Sequence, residues 1–101
     1  MTADLTQRAF DAAYTELSRH VAEGQEEFAQ AAARLVAVEI ESTRQYGWPE
    51  RLVAIATDPD ARAEWTAERT YVLPRAEGIG FTASEIDAAV QAAARALAEE
   101  N

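Results

Sequence analysis

The chain has 101 residues, a formal net charge of -9 and a pI of about 4.5, which allow one domain with a modest core. The acidic balance disfavours binding to nucleic acid through its phosphates. The absence of cysteine excludes disulfides, thiolate chemistry and cysteine-bound zinc. No apolar run is long enough to cross a membrane, and the first residues do not form a signal peptide, so we expect neither a transmembrane nor a secreted protein.

The first segment, residues 4–46, contains no helix breaker except Gly24. Its apolar residues keep one alternation of four and three on both sides of this glycine, which costs only about 1 kcal/mol inside a helix. No Ser, Thr, Asp or Asn follows Gly24 to cap a new helix. The pattern therefore favours one long amphipathic helix of roughly 65 Å. A helical hairpin hinged at Gly24 is the alternative.

A long amphipathic helix cannot bury its apolar stripe alone, so we expect it to pair with copies of itself or with a partner protein. The residues of this oligomer seam are Phe10, Tyr14, Leu17, Val21, Phe28, Leu35 and Val38. In the hairpin alternative the same stripe packs within its own domain.

Residues 49–97 form a cluster of three shorter helices in this interpretation. The first covers 49–57. Asp58 is a typical N-cap residue, and Pro59 after it suits the first helical position. Together they predict a second helix that runs to about Val72. Pro74, Gly78 and Gly80 predict a loop after it.

The last helix carries the strongest local signals. Thr82 and Glu85 have the spacing of a capping box, and Phe81 and Ile86 that of a hydrophobic staple. Beyond them the apolar residues recur at three and four as one stripe of an amphipathic helix, formed by Ile86, Ala89, Val90, Ala93, Ala94 and Leu97. The sequence as a whole predicts a single all-α domain over 1–101.

Aromatic residues collect at the ends of these predicted helices. Tyr46 and four others, Trp48, Trp65, Tyr71 and Phe81, could together fill a small core around the last helix. The alternative is an exposed patch that docks on a partner, because Trp and Tyr are enriched in binding hot spots. Its candidate residues are Trp48, Trp65, Tyr71 and Phe81.

The sequence offers no constellation for catalysis. His20 is the single histidine, and its spacing from Glu16 is one residue longer than the Glu-x-x-His of di-iron bundles. The short Gly78-Ile79-Gly80 run does not make a phosphate-binding loop. We therefore expect no enzyme, no catalytic, cofactor-binding or metal-binding residues, and no small-molecule substrate.

The C-terminal half resembles the soluble C-terminal part of the LLH family of phage holins. The resemblance lies in Tyr71-Val72-Leu73, in the turn Gly78-Ile79, and in a final helix that opens Thr82-Ala83-Ser84-Glu85-Ile86-Asp87-Ala88. It is most specific over about the last 30 residues. A holin forms holes with transmembrane helices, whereas this chain has a charged amphipathic helix in their place, so hole formation is excluded.

These features lead to three hypotheses. The first is a non-enzymatic structural or assembly protein of a phage or prophage, located in a virion or in the host cytoplasm, which acts through homo-oligomerisation or by docking on other phage proteins. The second is a soluble lysis regulator of the antiholin type. The third is an acidic mimic of DNA, with Glu26, Glu27, Glu39 and Glu41 as its row of carboxylates.

Overall fold

The computed structural model describes residues 3–46 and 49–98, and every regular element in them is a helix. The elements are α1 (Ala3–Leu17), a 3-10 turn (Ser18–His20), α2 (Glu26–Tyr46), α3 (Pro49–Thr57), α4 (Pro59–Glu68), α5 (Val72–Ile79) and α6 (Ala83–Ala98). The all-α prediction is confirmed. Helices α3, α4 and α6 were expected, and α5 is an additional helix. Helix α4 ends at Glu68 and not near Val72 as predicted, because Val72 begins α5.

The N-terminal segment is a hairpin hinged at Gly24, and the favoured continuous helix is wrong. Val21 is extended (φ -117°, ψ 153°), and Gly24 adopts φ 89°, a left-handed conformation that suits glycine. The largest extent of the described chain is 36 Å, much shorter than the continuous helix. Backbone bonds close this turn: the Gln25 N–H donates to the Ala22 carbonyl at 3.0 Å, and the Phe28 N–H donates to the Gln25 carbonyl at 3.1 Å. The carboxylate of Glu26 accepts the N–H of Gly24 at 3.2 Å.

Pro74 lies in the first turn of α5 and does not end a helix, which corrects the loop predicted at 74–80. The N–H groups of a first helical turn have no intrahelical acceptor, so proline is tolerated there. In a helix continuing from α4, however, the ring of Pro74 would clash with the carbonyl of Thr70. Proline therefore separates α4 from α5. Gly80 (φ 133°) ends α5, and its N–H bonds the carbonyl of Ala76.

Helix α6 is the centre of the domain, since each of the other five described α-helices contacts it. The predicted stripe Ile86, Ala89, Val90, Ala93, Ala94 and Leu97 is buried. The capping box is confirmed: the Thr82 N–H donates to Glu85 at 2.9 Å, and the Glu85 N–H donates to the Thr82 hydroxyl at 3.2 Å. The Asp58 cap of α4 is confirmed as well, because its carboxylate accepts the N–H of Asp60.

Alanine dominates the faces along which α1, α2 and α6 pack. The buried residues of α1 include Ala9 and Ala13, and the buried face of α2 is Ala29, Ala32, Ala33, Val36, Ala37 and Ile40. Small side chains at a helix contact permit interaxial distances near the lower end of the usual range of about 8–10 Å. Phe28, Leu35 and Val38 lie on a different face of α2, where they are exposed or half-buried.

Gly24→Ala tests the hairpin. Alanine at φ 89° is strained even though no atom lies within 4 Å of its Cβ position, so we expect the free energy of unfolding to fall by about 1 kcal/mol. In a continuous helix the substitution would instead stabilise by about 1 kcal/mol. Gly78→Ala is the control, because Gly78 lies inside α5 with open space at Cβ and should gain roughly 0.4–1 kcal/mol. Urea denaturation measures both, and stabilisation by Gly24→Ala would contradict the hinge.

Candidate functional site

The predicted oligomer seam is divided between the core and the surface. Leu17 is fully buried, and Phe10, Tyr14, Val21 and Leu35 are half-buried at the edge of the core. Phe28 and Val38 keep 42% and 51% of their surface exposed. The real buried stripe of α1 contains Ala9 and Ala13, so Phe10 and Tyr14 flank it. Their rings stack with centroids 5.9 Å apart.

Two of the four candidate docking residues lie in the core. Trp65 and Phe81 are buried, so they cannot form an exposed patch, and the alternative that assigns them to the core is confirmed. Trp48 lies outside the described residues. Tyr71 remains at the surface, with 41% of its area exposed. It is therefore the one candidate of the four that the described structure places where a partner could reach it.

A polar network around Arg69 holds α4 and α5 against α2. The hydroxyl of Thr43 accepts from Nε1 of the buried Trp65 at 2.7 Å and from Nη2 of Arg69 at 2.8 Å. It donates to the carbonyl of Glu39 at 2.9 Å. The guanidinium of Arg69 also lies 4.5 Å from the centre of the Trp65 ring. One hydroxyl thus satisfies two donors that the fold has taken from water.

Glu39 joins this network to the surface. Its Oε1 lies 3.2 Å from Nε of Arg69, close enough for an ion pair but not aligned as a hydrogen bond. Its Oε2 accepts from the hydroxyl of Tyr71. This hydrogen bond, together with burial and the charge of Glu39, raises the pKa of Tyr71 above its ordinary value. Glu39 therefore fixes the position of Tyr71 at the start of α5.

Tyr71 borders a surface groove between α2 and α5, which we call the α2–α5 groove. Its volume is about 550 Å³, and its lining residues are Ala31, Arg34, Leu35, Val38, Glu39, Tyr71 and Arg75. Val38 and Arg34 also line a second groove of about 330 Å³ between α1 and α2, which contains Phe10. Half-exposed apolar side chains from three helices therefore form one continuous surface.

Two arginines frame this surface. The guanidinium of Arg75 lies 5.1 Å from the centre of the Tyr71 ring, and that of Arg34 lies 5.9 Å from the Phe10 ring. Sequence reasoning did not select either arginine as a site residue. The four-residue spacing of Tyr71 and Arg75 would have indicated their contact if α5 had been recognised as a helix.

A groove of about 650 Å³ lies between α4, α5 and α6. Its walls are mainly small or apolar, with Ala63, Ala67, Leu73, Pro74 and Ile86 among them. Asp87, its acidic group, already binds Nε of Arg62 at 3.0 Å. The groove presents neither a large exposed apolar side chain nor a charge without a partner, so it is a weaker binding site than the α2–α5 groove.

His20, the single histidine of the sequence, contacts a carboxylate of the last helix. His20 lies 3.2 Å from Glu85, which already serves the capping box. The groove beside His20 has no hydroxyl or thiol in its lining. Among the described residues no group of three or more His, Cys, Asp or Glu could hold a metal ion, and no described helix is long and apolar enough to cross a membrane.

The four carboxylates of the DNA-mimic hypothesis do not form one exposed row. The side chain of Glu39 is only 16% exposed and pairs with Arg69. Glu26 turns back to the N–H of Gly24, and its pKa is lowered by backbone hydrogen bonds at Glu26 and Gly24. A mimic of DNA needs carboxylates that all face the same way, which this arrangement does not provide.

Comparison with protein-family models, curated proteins and solved structures finds no match to this chain. The resemblance to the LLH holins stays a prediction.

Thr43→Val tests the Arg69 network. Valine preserves the size of the side chain but removes the acceptor of Trp65 and Arg69, so we expect the free energy of unfolding to fall by about 1–3 kcal/mol. Thr57→Val is the control, because the Thr57 hydroxyl bonds only the Val53 carbonyl of its own helix, at an exposed position. We expect an effect below about 0.5 kcal/mol there. Equal losses in the two variants, measured by urea denaturation, would contradict a special role for Thr43.

The ionisation of Tyr71 tests its bond to Glu39. Because the folded chain favours the neutral phenol, this contribution to stability is complete below the unfolded pKa, about 10, and is lost as the pH rises through the folded pKa. The difference in tyrosinate absorbance between the wild type and Tyr71→Phe should show ionisation above the ordinary pH range. In Glu39→Gln, Tyr71 should ionise closer to the ordinary pH range of tyrosine. Ionisation of Tyr71 at or below its ordinary pKa would show that the bond is absent.

Proposed function

We propose that this chain is a non-enzymatic structural or assembly protein of a phage or prophage, which acts by binding another protein through the surface formed by α1, α2 and α5. The observation that carries the protein-binding role is the continuous apolar surface around Val38, with Phe10, Leu35 and Tyr71 beside it. The assignment to a phage is supported only by the resemblance of the C-terminal segment to the LLH holins.

The composition of this surface is that of a protein-binding site. Contiguous exposed apolar side chains on a small domain are typical of interaction surfaces, and Tyr and Arg are enriched among hot-spot residues. Phe28 and Val38, the exposed large apolar side chains of α2, also lie outside the buried face of that helix. Their retention at the surface therefore favours a role in binding.

The chain offers a matched pair of residues for the experiment. Val38 and Val53 are exposed to nearly the same extent, 51% and 50%, but Val38 lies on the surface described above and Val53 lies on α3. A charge at either position should affect folding equally little. Both variants replace an exposed valine with glutamate, but only the change at Val38 lies on the proposed binding surface.

We expect Val38→Glu to weaken binding of a partner encoded beside this protein, or self-association, by about tenfold or more, which corresponds to about 1.4 kcal/mol. Val53→Glu should leave it unchanged. Calorimetric titration against the purified neighbouring phage proteins and sedimentation of the chain alone provide the two measurements. The proposal fails if wild type neither binds such a protein nor self-associates, or if Val53→Glu is the damaging change.

A further inference from the structure

The α2–α5 groove has an excess of positive charge on an acidic protein. In the part of the chain that the structure describes, carboxylates pair with Arg19, Arg51, Arg62 and Arg69. Arg34 and Arg75 instead contact aromatic rings and have no carboxylate partner there. The carboxylate that lines the groove, Glu39, is already neutralised by Arg69. The groove therefore presents two unpaired cations, whereas the whole chain has a net charge of -9.

The floor of the groove has the length of a helical binding site. Ala31, Leu35 and Val38 follow one another at spacings of four and three on α2 and extend over about 10 Å along the helix axis. An amphipathic helix that lies in such a groove inserts side chains at i, i+4 and i+7, which span the same length. The groove is open along this row, so that a helix can enter from the solvent side.

A second copy of this chain does not fit as the occupant. In a two-fold contact each copy contributes the same patch, so a second copy would bring two more unpaired arginines and no free carboxylate from the groove lining, since Glu39 is paired with Arg69. Two molecules of net charge -9 also repel each other. The unpaired cations instead complement a partner that brings its own carboxylates.

We propose that the α2–α5 groove binds an amphipathic helix of a partner protein, with apolar residues at i, i+4 and i+7 and with Asp or Glu on the flanks that meet Arg34 and Arg75. This proposal rests on the proposed function and adds the chemistry of the partner. Leu35, Val38 and Tyr71 supply the apolar contact, and the two arginines set the preference for acidic flanks.

A pair of model peptides tests the preference. Both are helical peptides of about four turns with leucine at i, i+4 and i+7; one has glutamate on both flanks and the other has lysine at the same positions. We expect the full-length chain to bind the glutamate peptide roughly tenfold more tightly in a fluorescence anisotropy titration. The difference should shrink as salt is added.

Charge reversal in the protein provides the decisive comparison. The double variant Arg34→Glu with Arg75→Glu should lose binding of the glutamate peptide and prefer the lysine peptide. The control, Arg19→Glu with Arg95→Glu, changes the net charge by the same amount at exposed positions outside the groove and should keep the wild-type preference. Circular dichroism verifies that both variants are folded.

Three results would overturn the acidic-helix proposal: equal affinity for the two peptides, an equal loss in both double variants, or a dimer of the wild type that the groove variant disperses. The last result would identify a second copy as the occupant. If Val38→Glu still abolishes binding of a phage protein while the peptides show no preference, the protein-binding function stands and only the partner chemistry is wrong.

Discussion

Alanine lines the faces along which α1, α2 and α6 meet. Because alanine is small, these helices pack closely, and the larger side chains of the chain must find room elsewhere. Half of the buried hydrophobic residues in the described chain are alanines. A face of this kind gains little free energy per residue from burial, because the buried area is small. It gains more from close approach and from many weak contacts between well-fitted helices. Phe28 and Val38 lie outside this contact and are exposed on α2, and Leu35 is half-buried at its edge.

The largest fully buried side chain is that of Trp65 on α4, which together with α3 and α5 packs against α6. There Trp65 supplies the volume that alanine does not, and its indole N–H needs an acceptor because the ring is buried. Thr43 provides that acceptor and simultaneously holds Arg69. Arg69 then orients Glu39, which bonds Tyr71 at the start of α5. The position of the groove is thus a consequence of satisfying a buried tryptophan.

Those parts of the fold that depend on neighbouring residues could be predicted from the sequence, and those that depend on tertiary packing could not. The capping box of α6 and the Asp58 cap each involve residues two or three positions apart, so their spacing is diagnostic. The hinge at Gly24 was only the alternative prediction because the apolar phase continues across it and because no Ser, Thr, Asp or Asn follows it to cap the second helix. Pro74 could be taken as a breaker because its effect depends on whether it lies in a first turn.

The seam was assigned to the largest residues, although alanine forms the buried face; periodicity alone does not reveal which of two adjacent stripes faces inward.

The charge distribution gives the groove different properties at long and at short range. At a distance, an acidic partner meets a molecule of net charge -9, which slows association at low ionic strength. At physiological salt the charges are screened beyond about 8 Å, so the overall repulsion fades and the contacts inside the groove decide the outcome. There Arg34 and Arg75 are held against aromatic rings, which limits the freedom that binding would have to remove. Such a site discriminates mainly through the lifetime of the complex, since mutations in an interface act chiefly on dissociation. Selectivity for an acidic helix on an acidic protein is therefore physically consistent, because the repulsion and the attraction operate over different distances.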